Sequence, residues 1–315
     1  MTALGLVGGA LQAVVIVGGA PLLLGLMRQV RARLEGRVGP GIGQPWRDLR
    51  KQLRKQPVTP RGTTEVFRVA PVLLVAMTLV VAVVAPFATT ASAIPAVADL
   101  FVVVALLAHG TVVVALAGLD TGTAFGGMGA SRETTILALV EPTALLAIFA
   151  LSVRTGSTNL SAIVGAVLDD PARLVSPASA LAAVALAIVI VAETGRLPVD
   201  NPATHLELTM VHEAMVLEYA GPDLALIELG SAMRLSVYLG LLANLFAPWG
   251  IATGTAPIAL LVGVVALSVK VAVLGAALAA AEVFLAKLRL FRVPELLAGS
   301  FLLALLAVTT AYVLG

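Results

Sequence analysis

The sequence predicts an all-α polytopic membrane protein, a bundle of about eight transmembrane helices with amphipathic and loop helices on its inner side. Three observations carry this. Hydrophobic residues make up 59% of the 315 residues and charged residues only 12%, whereas soluble domains are about a quarter charged. Seven stretches reach the roughly 20 apolar residues needed to cross a hydrocarbon core about 30 Å thick. The basic residues, finally, fall on alternate loops.

In chain order the spans are predicted at 3–27, 66–89, 95–119, 134–153, 224–247, 256–282 and 295–314, with a shorter apolar stretch at 178–192 as the eighth. The run 161–168 is too short to span and reads as a surface or re-entrant turn. The first span is not a cleavable signal, because its apolar run is long and its first charge, Arg28, follows it. Of the 20 Lys and Arg, 16 then fall on inner loops and 2, Arg154 and Arg173, on outer ones; Arg234 and Lys270 lie within helices. That asymmetry places both termini on the outer side of a cell membrane. With no linker-like stretch or internal repeat, residues 1–315 read as a single transmembrane domain.

The chain has no cysteine and three histidines, His109, His205 and His212. An iron–sulfur cluster or a nickel–iron centre needs thiolates, and a di-haem cytochrome needs more histidines in its spans. No cofactor is therefore expected on this chain, and any redox centre belongs to a partner. His212-Glu213 opens an HExxH pattern that fails at Val216, so there is no zinc-protease pair.

The inner loops carry the most information. Around Pro45, the residues Trp46, Leu49 and Leu53 recur at helical spacing, with Arg47, Arg50, Lys51, Arg54 and Lys55 on the other faces and Pro57 ending the pattern. This predicts a short amphipathic helix in the interface plane, which anchors the chain to anionic lipid or docks a soluble partner. Just before it, the turn 36–43 is dense in Gly and Pro (Arg37, Gly39 and Pro40 among them) and lacks the GxxxxGK[ST] of a phosphate loop. Between 193 and 228 the acids Glu193, Asp200, Glu207, Glu213, Glu218, Asp223 and Glu228 stand beside a single Arg196. Asn201 as N-cap, Pro202 at the first position and Gly221 as left-handed terminator predict a helix of about five turns there.

Charges inside spans are costly and ask for a role. The candidates are Asp99, His109, Glu141 (followed by Pro142), Arg234, Lys270 and Glu282, with Glu228 at the inner edge and Arg234–Glu228 as one possible ion pair. A series of acids running from loop to bundle reads as a proton relay.

The run Glu193-Thr194-Gly195-Arg196-Leu197-Pro198-Val199-Asp200-Asn201-Pro202, continuing through His205-Leu206-Glu207-Leu208 to Glu218-Tyr219-Ala220-Gly221, resembles the complex I subunit 1 family. Within it the chain looks most like the membrane subunits of group 4 nickel–iron hydrogenases, and the Arg37-Val38-Gly39-Pro40 turn agrees. The resemblance implies an anchoring, proton-coupling subunit of a membrane-bound hydrogenase of the formate hydrogenlyase type. It implies docking of a hydrogenase large subunit and a small iron–sulfur subunit on the inner loops, around Arg37, Gly39, Pro40, Trp46, Arg47, Arg50 and Lys51. It further implies antiporter-like membrane neighbours, with the nickel–iron centre and iron–sulfur clusters in partners and no nucleic acid. Glu193, Arg196, Asp200, Glu207 and Glu218 match charged loop positions of the family, and Glu213, Glu228 and Glu141 join them as proton-pathway candidates. Ala203 and His205 stand where quinone-reducing members carry further Glu residues, which favours the hydrogenase branch. The alternatives are a quinone-site subunit of an NADH–quinone oxidoreductase and a stand-alone cation/proton antiporter.

Overall fold

The computed structural model describes residues 3–92, 94–200, 210–254 and 256–314. They form eleven α-helices joined by turns: α1 (Ala3–Leu34), α2 (Gln44–Leu53), α3 (Glu65–Val84), α4 (Leu100–Asp120), α5 (Ala124–Thr155), α6 (Leu160–Asp169), α7 (Pro177–Glu193), α8 (His212–Val216), α9 (Gly221–Phe246), α10 (Pro257–Phe284) and α11 (Val293–Leu314). Local chemistry sets many of the starts. The side chains of Thr64, Asp99, Thr123, Asn159 and Ser176 accept backbone N–H bonds at the first turns of α3, α4, α5, α6 and α7. Proline opens α2, α7, α9 and α10, where its missing N–H has no intrahelical partner to lose.

Seven of these helices, α1, α3, α4, α5, α9, α10 and α11, are long and apolar enough to cross a membrane. The chain is a multi-pass membrane protein. α7 has 17 residues, about 25 Å by helical rise, and runs from one end of the bundle to a point inside it. Its start is tied to the end of α5 by Arg154, which donates to Ser176 Oγ at 2.8 Å. Its end faces the loops that carry α2, because Asp200 meets Lys287 at 2.9 Å and Gly221 presses on the Gln56 carbonyl. Among the described residues, α7 thus stands beside seven spanning helices as the shorter apolar helix that the sequence marks as the eighth. The central helix is α9, buried along most of its length and packed on α1, α2, α3, α7 and α10. α5 packs on α4, α7 and α11.

Three predicted elements are corrected. The second span ends at Val84 rather than at 89, since Ala85 turns extended before Pro86. The freed backbone is satisfied by side chains: Gln12 Nε2 donates to Ala82 O and Ala85 O, and Asn244 Nδ2 donates to Pro86 O and Phe87 O. Non-helical backbone at this depth is tolerated only when so enclosed. Residues 161–168 form α6, whose Leu160, Ile163 and Val164 join the main core, instead of a surface turn. The five-turn helix closed by Gly221 is absent from the described part of its range. Residues 212–216 make the short α8, and Gly221, left-handed at φ +61°, opens α9. Asp99 caps α4 at the bundle end and is not inside a span.

α2 folds as predicted and lies across the end of the bundle, against α1 and α9. Pro45 and Leu49 are buried, whereas Leu53 stays exposed. Trp46 donates its indole N–H to Gly18 O at 3.1 Å. The turn before it doubles back over α1 so closely that a Cβ on Gly25 would sit 1.9 Å from Ile42 O, which is why only glycine fits there.

Candidate functional site

The site is built around the end of α7. Gly195, at φ +58°, donates its N–H to Ala192 O, and Arg196 donates to Val191 O. This paired pattern with a left-handed glycine stops a helix sharply. Glu193 is therefore the last residue of α7 and sits well inside the bundle. Its neighbours fix the depth: Thr111 is about 13 Å, and Arg234 about 20 Å, from the α2-side ends of α4 and α9 by helical rise.

Glu193 is 5% exposed and meets three donors on one oxygen. Arg234 Nη2 lies 2.6 Å from Oε2, Tyr238 donates its hydroxyl at 3.1 Å and Thr111 at 3.2 Å. Arg234 Nη2 also donates to Thr111 Oγ1 at 2.6 Å. The carboxylate and guanidinium thus sit in a closed hydrogen-bonded group, which is what makes a buried ion pair tolerable.

A cavity of about 680 Å³ leads from this pair toward the loops, between α1, α2, α8 and α9. Its wall carries charges of both signs, among them Glu193, Arg196, Asp200, Glu213, Glu228 and Glu282. Glu282 Oε2 accepts from Arg31 at 2.9 Å, with Arg196 3.7 Å from Oε1. Burial pulls the Arg196 pKa below its usual value, with Arg31 and Arg28 adding to the effect against Glu282. Asp200 binds Lys287 through Oδ1 and, through Oδ2, accepts the N–H groups of Val211 and His212 at 3.3 and 3.1 Å. It thereby holds the start of α8.

His212 Nδ1 stands 3.9 Å from the buried Glu133 of α5, an ion-pair distance too long for a hydrogen bond. Burial opposes a charge on the ring, but the Glu133 carboxylate outweighs it, and Glu213 adds to it, so the pKa is raised above its ordinary value. The cavity wall thus holds acids at two depths, with His212 placed beside Glu133.

Of the residues singled out from sequence, Glu193, Arg196, Asp200, Glu213 and Glu228 meet in the cavity wall. Glu218 is exposed outside it, and Glu141 lies half-buried on α5, about 12 Å beyond Glu133 by helical rise. Glu207 and His205 fall outside the described residues. Arg234 pairs with Glu193, not with Glu228, which lies elsewhere around the same helix. Of the docking candidates, Lys51 lines the cavity mouth; Arg37, Gly39, Pro40, Trp46, Arg47 and Arg50 are exposed on the same end of the bundle. Sequence reasoning missed Glu133, Thr111, Tyr238 and the Arg31–Glu282 contact. Glu133 had a signal, an acid at the start of a predicted span; a single Thr or Tyr in an apolar run has none.

The chain matches the family model described as NADH dehydrogenase over residues 9–313. It belongs to the NADH dehydrogenase family. Among curated relatives in the family, it is 37% identical over 301 residues to formate hydrogenlyase subunit 4 of Escherichia coli (strain K12), covering 94% of this chain and 95% of that one. Hydrogenase-4 component C of the same organism is 35% identical over 296 residues, covering 94% and 92%. The fold is also that of a chain in the structure of the membrane-bound sulfane sulfur reductase, an archaeal respiratory membrane complex, with a TM-score of 0.81, 23% identity and coverage of 96% and 99%. The sequence has no cysteine, and among the described residues no group of three or more His, Cys, Asp or Glu is placed to hold a metal ion.

Proposed function

We propose that this chain is the membrane anchor of a membrane-bound hydrogenase of the formate hydrogenlyase type, and that the Glu193 cluster couples redox chemistry in a docked soluble arm to proton movement. The observation that carries the coupling is the charged cavity, which ends on the Glu193–Arg234 pair at a depth of roughly 13–20 Å. The near full-length likeness to two hydrogenase membrane subunits supports the choice of partner.

In this reading the α2 end faces the inside of the cell membrane, and both termini lie outside. The hydrogenase large subunit and the small iron–sulfur subunit, which hold the nickel–iron centre and clusters, dock over Arg37, Trp46, Arg47, Arg50 and Lys51. Antiporter-like membrane subunits flank the bundle. A change of charge at the docked arm shifts the balance among His212, its neighbour Glu133 and the Glu193 pair. Family membership alone supports a second reading, a quinone-site subunit with the quinone in the same cavity.

Affinity purification of the tagged chain in mild detergent, with nickel, iron and flavin quantified, separates the two. Nickel and iron together are expected. Iron and flavin without nickel would favour the quinone reading, and a lone chain without either metal would overturn both. In the intact complex, Glu193→Gln is expected to disturb proton movement while partners still co-purify; unchanged proton movement would remove Glu193 from the pathway.

A further inference from the structure

α10 packs on α1 and α9 and leaves a long apolar face open. Ile258, Leu261, Val265, Val269 and Val273 are each more than half exposed along it. At the edge of this face, near the middle of the helix, stands Lys270, half-buried. Roughly 20 Å of helix separates it from either end of α10, far beyond the reach of a lysine stem, so its charge cannot snorkel to water.

The ammonium has three donors. Among the described residues one is used: Nζ donates to Asn244 Oδ1 at 3.0 Å. That amide is itself committed, since its Nδ2 satisfies the Pro86 and Phe87 carbonyls freed where α3 ends. Orienting an amide needs a donor but no charge, so the internal contact accounts for the bond and leaves the cation unexplained. A cation left at this depth is costly unless an anion or water meets it.

We infer that the open face of α10 is a contact with a transmembrane helix of another subunit, and that this helix carries an Asp or Glu opposite Lys270. Apolar packing along Val265, Val269 and Val273 supplies the area, and the ion pair fixes the register. The inference rests on the reading that the chain works within a membrane assembly, though not on which redox arm is docked.

The test places photoreactive benzoylphenylalanine at Val269 or Val273, with Lys270 retained, in the intact purified complex. A crosslink is expected to a membrane-subunit peptide with an acid within one helical turn. Lys270→Glu should then cut recovery of that subunit roughly tenfold or more, and changing the partner acid to Lys should restore it. Lys270→Gln, which keeps a donor for Asn244, controls for folding by its elution profile. Crosslinks to lipid alone, a crosslinked helix without an acid, or full recovery with Lys270→Glu would each overturn the inference. Nickel and iron in the same preparation would show the hydrogenase reading intact even then.

Discussion

Replacing Arg234 by Met should be among the most damaging single changes in this chain, for a reason the geometry makes quantitative. Glu193 and Arg234 side chains are each 4% exposed and 2.6 Å apart. Met fills comparable space and removes the charge, leaving a buried carboxylate with only Tyr238 and Thr111 as donors. Breaking a buried pair from one side costs about 3–5 kcal/mol. Tyr238→Phe removes one hydrogen bond to a charged group and should cost less, about 1.5–3 kcal/mol. Because the loss in Arg234→Met comes from a stranded charge, neutralising that charge should recover part of it. The double variant Glu193→Gln/Arg234→Met is accordingly expected to show a coupling of about 1–3 kcal/mol. Equilibrium unfolding in mixed micelles titrated with a denaturing detergent reads these values. A cost for Arg234→Met under about 1 kcal/mol, or additive single variants, would refute the closed ionic group.

Three further outcomes follow from the same geometry. The raised pKa of His212 means that its interaction with Glu133 stabilises fully below the unfolded value of about 6.5 and is lost as pH rises through the higher folded value. Thermal midpoints should therefore fall above pH 6.5 in the wild type, with a shallower fall in Glu133→Gln; equal slopes would count against the pairing. Asp200→Asn, which loses the Lys287 contact and weakens the hold on the Val211 and His212 amides, should cost about 1–3 kcal/mol and speed hydrogen exchange over 210–216. Gly25→Val drives a side chain into Ile42 O at a cost of about 1–3 kcal/mol. It should lift the 36–43 turn and speed tryptic cleavage after Arg37, and unchanged cleavage would show that the turn is not held there.

The spans were legible because composition and apolar run length are properties of single segments. α7 was legible too, although it is short, because its stretch is wholly apolar and the split of Lys and Arg between the two sides of the chain calls for one more pass. The ends were less so. The second span stops at Val84 because Pro86 breaks it, and the apolar Ala85, Phe87 and Ala88 continue past that point without marking the change. The acids of 193–228 stood out by density, but their sorting did not. Glu213 and Glu228 reach the cavity and Glu218 does not, because α8 ends at Val216 and the chain turns before α9. Arg234 was visible as a charge in a span; its partner Glu193 is 41 residues away in sequence, and only the packing of α7 on α9 brings them together.

That packing depends on where α7 ends. The residues Glu193-Thr194-Gly195-Arg196 act at once as helix terminator and as charge carrier. Gly195 closes the helix through Ala192 O, and the two flanking charges leave in different directions. Glu193 stays among the helices with Arg234, whereas Arg196 turns to the wall that Glu282 and Arg31 share. A helix one turn longer would carry its terminal charge about 5 Å toward the loops, where water screens it and where neither Thr111 nor Tyr238 could reach. The depth of the site is thus set by a backbone feature, a left-handed glycine, rather than by the acids themselves. Beyond this terminator, Asp200 gathers Lys287 and the start of α8, and His212 comes to rest beside Glu133. In the proposed coupling, a disturbance at this end of the bundle would reach Glu133 through Asp200, the start of α8 and His212.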